Sequence, residues 1–360
     1  MEIIFEKFEK ETSLERQRKL FIECFPETLG TSVVGNDHYL WKFHSFPHYP
    51  KSFEYEALLK NEILGYYAAI PYRYNFFGKQ VTVGMVCDVM TGVKARGKGV
   101  FTKLGAFSTN QMKEQGLAFT TGYPIRKEVI PGHLKVGWEI QFELPLYIKF
   151  LKMNSLLKSK KLSLLTPIAN LGVMLYRGIL RILQLLNDKE LRVDIYSEKE
   201  IEKIIGLDEF IAAWQKEVPI SLIKDINFLK WRLGGPGKSY FVNVVKNKGI
   251  ILGVSISRKI LKDNVLSLGI LDFMVLNNNN KVINILHRSL TKLAFKNKIE
   301  TILCMTSEFI KRKYKFISNG FIKSPFKFFL IIKRLDNTID GDQLKDAQNW
   351  HLMWIDSDDL

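Results

Sequence analysis

Cysteine is scarce in this chain. Cys24, Cys87 and Cys304 are the only three in 360 residues, each in an apolar stretch and far from the others. That excludes a disulfide scaffold and a Cys-based zinc framework, and no metal centre is expected. The first residues, Met-Glu-Ile-Ile-Phe-Glu-Lys, lack the basic-then-apolar layout of a secretory leader, so a cytoplasmic setting is expected. The uncharged run 162–176 is too short to cross a bilayer, which takes about 20 apolar residues. Acidic residues are also short: 37 Asp and Glu face 53 Lys and Arg, a net +16. The deficit is uneven. Residues 336–360 hold seven Asp against one Lys, and taking their −6 from +16 leaves +22 on the rest. Such a body favours phosphate-bearing partners: nucleic acid, an acidic membrane surface or a nucleotide-like ligand.

Apolar residues make up 46% of the chain, enough to bury a core over one large domain or two. Residues 2–8 alternate like a strand, and 13–24 read as a helix with Ser13 as its cap. Two hairpins follow, 55–60 with 63–75 over Asn61-Glu62, then a return strand 80–91 after Gly78-Lys79. A glycine-bearing loop leads into a helix over 100–115. A buried-type strand over 117–121, a short helix over 130–136 and a strand over 141–150 close the set. The order β-α-β-β-β-α-β-α-β predicts an α/β chain with a mixed sheet and helices on its faces.

The second half repeats this plan. Tyr39-Leu40-Trp41-Lys42-Phe43 matches Phe228-Leu229-Lys230-Trp231-Arg232, and Cys87-Asp88-Val89-Met90 matches Leu271-Asp272-Phe273-Met274. Asp88 precedes Gly137 by 49 positions, and Asp272 precedes Gly320 by 48. Matched segments in the same order predict an internal duplication. The expected division is a first domain over 1–148, a basic helical linker over 149–190, a second copy over 191–335 and an acidic tail over 336–360. Within the linker, 162–187 reads as a helical hairpin packed on the domains, or as an interfacial amphipathic helix.

The segment from Asp88 to Leu104 carries the chemistry. A strand runs into Arg96-Gly97-Lys98-Gly99-Val100-Phe101 and then a helix. The first N–H groups of a helix have no helical partners, and its dipole favours an anion there. Two glycines let the backbone take positive φ. Arg96, Lys98 and Lys103 add charge. The segment is not a Walker loop, because Gly-Lys-Ser/Thr is missing. It is not a dinucleotide fingerprint, because the third glycine is absent and the strand is not the first. A plain glycine turn is the alternative reading.

These residues resemble the GNAT acyltransferase superfamily, whose signature Arg/Gln-x-x-Gly-x-Gly/Ala stands at this same junction. Arg96, Gly97, Lys98 and Gly99 follow it; Phe101 departs from its final position. Pro131-Gly132-His133-Leu134-Lys135-Val136-Gly137-Trp138 is similar to the family's last helix and its ending. The resemblance covers 1–150 well and 191–335 weakly, and implies two tandem GNAT-like domains, the second degenerate. It implies acetyl-CoA or another acyl-CoA as donor, with the pyrophosphate on the N–H groups of Arg96 to Phe101. Val89, Met90 and Thr91 would pair with the pantetheine arm and supply oxyanion stabilisation. His133 stands where relatives place an acid, and Asp88 where some place a base; each also reads as structural. Cys87 reads as core. The second copy has Leu276-Asn277-Asn278-Asn279-Asn280 at the loop position and is expected not to bind CoA.

The resemblance implies a small-molecule amine as acceptor. The ending Asn349-Trp350-His351-Leu352-Met353-Trp354 is similar to endings of polysaccharide-linked relatives, which points to a nucleotide-linked amino sugar. Fem-like aminoacyl transfer is one alternative. Another is an inactive scaffold that binds nucleic acid or an acidic membrane. No helix-turn-helix, zinc or RNA-binding signature is present, so nucleic acid is not expected.

Overall fold

The computed structural model describes residues 2–183 and 190–358. In chain order the first half holds β1 (Ile4–Lys7), α1 (Lys10–Cys24), α2 (Asn36–Tyr39), β2 (Phe53–Leu59), β3 (Glu62–Phe76), β4 (Lys79–Thr91), α3 (Val100–Glu114), β5 (Phe119–Gly122), α4 (Ile130–Lys135) and β6 (Glu139–Phe150). Then come α5 (Asn154–Ser159), α6 (Thr166–Leu183), β7 (Leu191–Ser197), α7 (Leu207–Gln215), β8 (Ile220–Leu222) and α8 (Ile226–Leu233). The rest holds β9 (Tyr240–Asn247), β10 (Ile250–Lys262), β11 (Val265–Val275), α9 (Asn280–Lys296), β12 (Thr301–Met305), α10 (Glu308–Lys313), β13 (Ile322–Arg334), α11 (Gly341–Lys345) and β14 (Trp350–His351). This is the mixed α/β architecture the sequence predicts.

The chain forms two compact units. The first comprises Met1–Phe142, Gly235–Gly237 and Phe329–Asp346; the second comprises Glu143–Gly234, Lys238–Phe328 and Ala347–Leu360. In the first unit the strands run β1-β2-β3-β4-β5 and then the end of β13, where Ile331 to Arg334 lie antiparallel to Gly122 to Phe119. In the second unit the end of β6 pairs with β12, Leu146 opposite Met305, and β11, β10, β9 and β7 follow. Each unit therefore finishes its sheet with a strand from the other half of the chain. Residues 149–190, expected as a linker, fall in the second unit. The expected tail is divided: 336–346 goes with the first unit and the rest with the second.

Two local predictions need correction. Both hairpins turn one residue earlier than expected. Lys60 and Asn61 have φ of 50° and 64°, and Phe77 and Gly78 have 50° and 83°. Two successive positive φ values are the turn that matches strand twist. Helix α1 begins at Lys10, not after Ser13; the Ser13 hydroxyl donates instead to Glu56 Oε1 at 2.9 Å.

The first unit's core packs α3 on the sheet through Val100, Leu104 and Met112 against Tyr67, Val86 and Trp138. In the second unit α9 does the same with Val282, Leu286 and Leu290 against Leu268, Ile270 and Phe273. Each helix buries one stripe at helical spacing, i, i+4 and i+12 in α3 and i, i+4 and i+8 in α9.

Candidate functional site

The loop between β4 and α3 is held by its own backbone up to Lys98. Gly92 N–H donates to Leu64 O at 2.9 Å, Val93 N–H to the Glu23 carboxylate at 2.6 Å, and Lys98 N–H to Ala95 O at 3.3 Å. Beyond that the pattern stops. Gly97 and Gly99 sit at φ of 75° and 74°, in the left-handed region where a Cβ is strained. Gly99 caps α3 without a side-chain hydrogen bond. Among the described residues, the N–H groups of Gly97, Gly99, Val100 and Phe101 meet no partner in the chain. They stand at the positive end of a 15-residue helix, with exposed Arg96, Lys98 and Lys103 around them. An anion of phosphate size fits these donors without displacing any existing bond.

Phe101, which departs from the family signature, is turned away from the loop. Its ring lies where a Cβ on Gly132 would come within 2.6 Å, and it meets the His133 ring at 5.0 Å between centroids. Gly132 thus makes room for the Phe101 side chain, and the Phe101 N–H stays free.

Strand β4 opens beside the loop. It pairs with β5 only over Val83 to Met85, yet runs on to Thr91. On its other side, Cys87 faces Ala68 and Met90 faces Tyr66, so Asp88 and Val89 share one partner position. This is a β-bulge, and Asp88 takes φ of 49° within it. Val89, Met90 and Thr91 therefore lie on a strand end that β5 does not cover, leading directly into the loop. Thr91 O is approached by Arg96 Nε at 3.4 Å and Cys24 Sγ at 3.6 Å.

The bulge faces a polar cluster that the sequence reading missed. Lys42, itself buried, puts Nζ 2.8 Å from Asp88 Oδ1. Glu54 on β2 is buried and accepts from Tyr39 OH at 2.6 Å, Tyr66 OH at 2.5 Å and Ser52 Oγ at 2.6 Å. His44 Nε2 lies 3.0 Å from Tyr39 OH. Burial, with Glu54 adding to it, drives the Tyr39 and Tyr66 hydroxyls well above the usual tyrosine range. Desolvation lowers His44. One signal was available: Glu54 and Glu56 alternate with Phe53 and Tyr55, placing two acids on one face of an apolar strand. His44 and His48 are also four apart, a metal-type spacing. The structure sends them apart, His44 to Tyr39 and His48 to within 2.5 Å of Arg73.

His133 lies at the end of α4, buried between the edges of Phe101 and Trp138, each ring 5.0 Å away. Burial lowers it to about 4, so the imidazole is neutral at pH 7. Cys87 is buried.

The strand-to-helix junction after β11 contrasts with that after β4. Asn279 caps α9, its side chain accepting from Lys281 N–H at 3.0 Å and Val282 N–H at 3.3 Å. Asn277 N–H donates to both Glu217 oxygens, at 2.9 and 3.0 Å. The N–H groups of Asn277, Lys281 and Val282 are thus occupied, and the Glu217 carboxylate already stands at this junction. Above it, Asp272 is fully buried, held by Lys224 and His351 at 2.8 Å each. Burial pushes this carboxyl up, but Lys224 and His351 outweigh it and bring it to about 2. The segment that supplies His351 also buries Trp350, Met353 and Trp354. A cavity of about 490 Å³ in the first unit, lined by Glu139, Gln141, Arg334, Asp342 and Lys345, includes none of the loop residues.

Residues 8–141 match the family model described as Acetyltransferase (GNAT) domain. No match is found among curated proteins. Among solved structures, the chain is similar to a GCN5-related N-acetyltransferase from Anabaena variabilis, with a TM-score of 0.63 at 12% identity over 93% of this chain and 73% of the other. It is also similar to a GCN5-related N-acetyltransferase from Kribbella flavida, with a TM-score of 0.61 at 11% identity over 92% and 71%. The chain carries a GNAT acetyltransferase domain, and the fold it shares with these structures extends over both halves.

Proposed function

We propose that the chain is an acyl-CoA-dependent N-acyltransferase with one donor site, at the β4–α3 junction. The observation that carries this is the contrast between the two junctions: α3 starts with free N–H groups among basic side chains, while α9 is capped by Asn279 and faced by Glu217. In this reading the second unit is a copy that has lost the donor site. The pyrophosphate takes the N–H groups of Gly97 to Phe101, with Arg96 and Lys98 alongside. The uncovered end of β4 takes the pantetheine arm, and its backbone N–H groups face the thioester oxygen.

The acceptor amine enters on the bulge side, where Asp88, Lys42 and the Glu54 cluster meet. Its nitrogen bonds to the acyl carbon, the carbon–sulfur bond breaks, and the thiolate takes up a proton from water. The amine's surplus proton goes to Asp88, the carboxylate nearest the uncovered strand end. His133 keeps α4 packed on Phe101; a neutral imidazole lowered to about 4 has no proton to give at pH 7. A nucleotide-linked amino sugar is the acceptor class we propose, on the strength of the basic body and the ending around Trp350. Calorimetry with acetyl-CoA on the wild type and on Arg96→Glu tests the donor site. Binding weakened at least about tenfold by the charge reversal is expected. No heat of binding from the wild type with any acyl-CoA ends the proposal.

A further inference from the structure

Residues 144–187 hold seven Lys or Arg and no Asp or Glu. Inside this stretch α6 is built in the reverse sense to a surface helix. Its half-buried positions are small or polar: Thr166, Ala169, Asn170 and Val173. Asn170 fastens it, accepting from Met153 N–H at 2.9 Å and donating to Asn154 Oδ1 at 2.7 Å. Among its described side chains, the large apolar ones point outward. Leu164 just before the helix is 93% exposed, Ile168 72%, Leu171 52% and Leu175 59%. Their spacing of four, three and four residues draws one continuous stripe. Lys152, Lys158, Lys160 and Lys161 are exposed on the segment leading into it.

A contiguous apolar stripe facing water marks an interaction surface. We propose that α6 and the lysines before it dock the protein on an anionic lipid bilayer, the helix lying in the plane of the surface. No helix among the described residues is long and apolar enough to cross a membrane, which leaves the in-plane position. Charge chooses among occupants. A second copy of α6 would bring cation against cation, and nucleic acid would engage the lysines but leave the stripe in water. An anionic bilayer satisfies both features, headgroups for the lysines and acyl chains for the stripe. This inference is independent of the donor site.

The test is flotation of the full chain with vesicles of phosphatidylcholine alone or mixed with phosphatidylglycerol. Wild type is expected to float only with the mixed vesicles, and less as salt rises. Lys158→Gln/Lys160→Gln/Lys161→Gln should lower partitioning about a hundredfold, at about fivefold per lysine. Ile168→Gln/Leu171→Gln/Leu175→Gln should lower it at least about tenfold, because half-inserted side chains lose their apolar contact. These positions are exposed, so unchanged circular dichroism is expected of both variants. Wild type that ignores phosphatidylglycerol vesicles, or floats equally on phosphatidylcholine alone, overturns the proposal. So does a wild-type dimer that ignores vesicles and becomes monomeric in the apolar variant, since α6 then covers a second copy.

Discussion

Replacing Gly99 by Asp puts the donor-site reasoning at most risk. An added Cβ there meets nothing nearer than Thr102 Oγ1 at 4.0 Å, so the side chain has room. The backbone cost is the left-handed conformation at φ 74°, about 1 kcal/mol for a residue with a Cβ. The new carboxylate sits at the α3 N-terminus, where it can accept from N–H groups now free and oppose an incoming phosphate. Losing two charge-assisted hydrogen bonds at about 1.5–3 kcal/mol each weakens CoA binding by at least a hundredfold. Gly99→Asn carries the same backbone cost without the charge. It should lose much less affinity than Gly99→Asp while unfolding at a similar temperature. Isothermal calorimetry with CoA and thermal unfolding of all three proteins make the comparison. If Gly99→Asp binds CoA within threefold of wild type, the pyrophosphate does not sit on this helix start, and the assignment of Arg96–Phe101 falls.

Stability should drop in acid. Burial lowers His133 to about 4 and His287 to about 3, both below the ordinary 6.5. Their contribution is therefore full above pH 6.5 and is lost as pH falls through the folded values. At 1.36 kcal/mol per pH unit this is of the order of 3 kcal/mol for His133 and 5 kcal/mol for His287. His133→Phe, which fills the gap between Phe101 and Trp138, should flatten the decline in denaturant midpoint between pH 6.5 and 4; an unchanged slope refutes it. The same variant should keep its turnover and pH–rate profile, and a large fall in kcat with CoA affinity intact would return His133 to the chemistry. Asp88→Asn should cut kcat by at least about a hundredfold while CoA affinity stays within a few-fold. Lys42→Met leaves Asp88 half-buried without its ammonium partner and should cost about 2–3 kcal/mol of stability, read from the denaturant midpoint.

Much of the fold was legible because its elements are long and strongly periodic. β3 and β4 are 15 and 13 residues long and rich in apolar residues, and α3 carries a clear stripe, so their type was readable from the sequence. Turn positions slipped by one because Lys60 and Phe77, at positive φ, are not the glycine or asparagine that marks such turns. The exchange of β6 and β13 between units left no trace in the pattern. Alternation says that a strand has one buried face, not which neighbour it pairs with. The charge sum of the C-terminal segment says little about its packing. Seven Asp read as an acidic tail, yet five apolar residues between Trp350 and Ile355 are buried, and Asp356 goes down with them. Its carboxyl is pushed up by burial, to about 6.

The site was legible at its loop and opaque at its acceptor side. Glycine and basic residues at a strand-to-helix junction have a local physical meaning, so Arg96 to Gly99 could be read from sequence alone. The Glu54 cluster shows in sequence only as acids alternating on an apolar strand, because Tyr39, His44, Ser52 and Tyr66 come from separate stretches of chain and meet only in the fold. The aspartates of the two halves show why a matched residue does not fix a role. Asp88 and Asp272 follow the same pattern in sequence, and each has a lysine at 2.8 Å. Asp272 also takes His351 and the Phe273 N–H, and is sealed from solvent. A carboxylate held by three donors and fully buried cannot receive a proton from an amine. Asp88 has the lysine, a strained bulge and an uncovered strand end beside it. Its candidacy rests on that difference in surroundings, which is why Asp88→Asn, and not the matching change at Asp272, is the substitution that should stop turnover while sparing the fold.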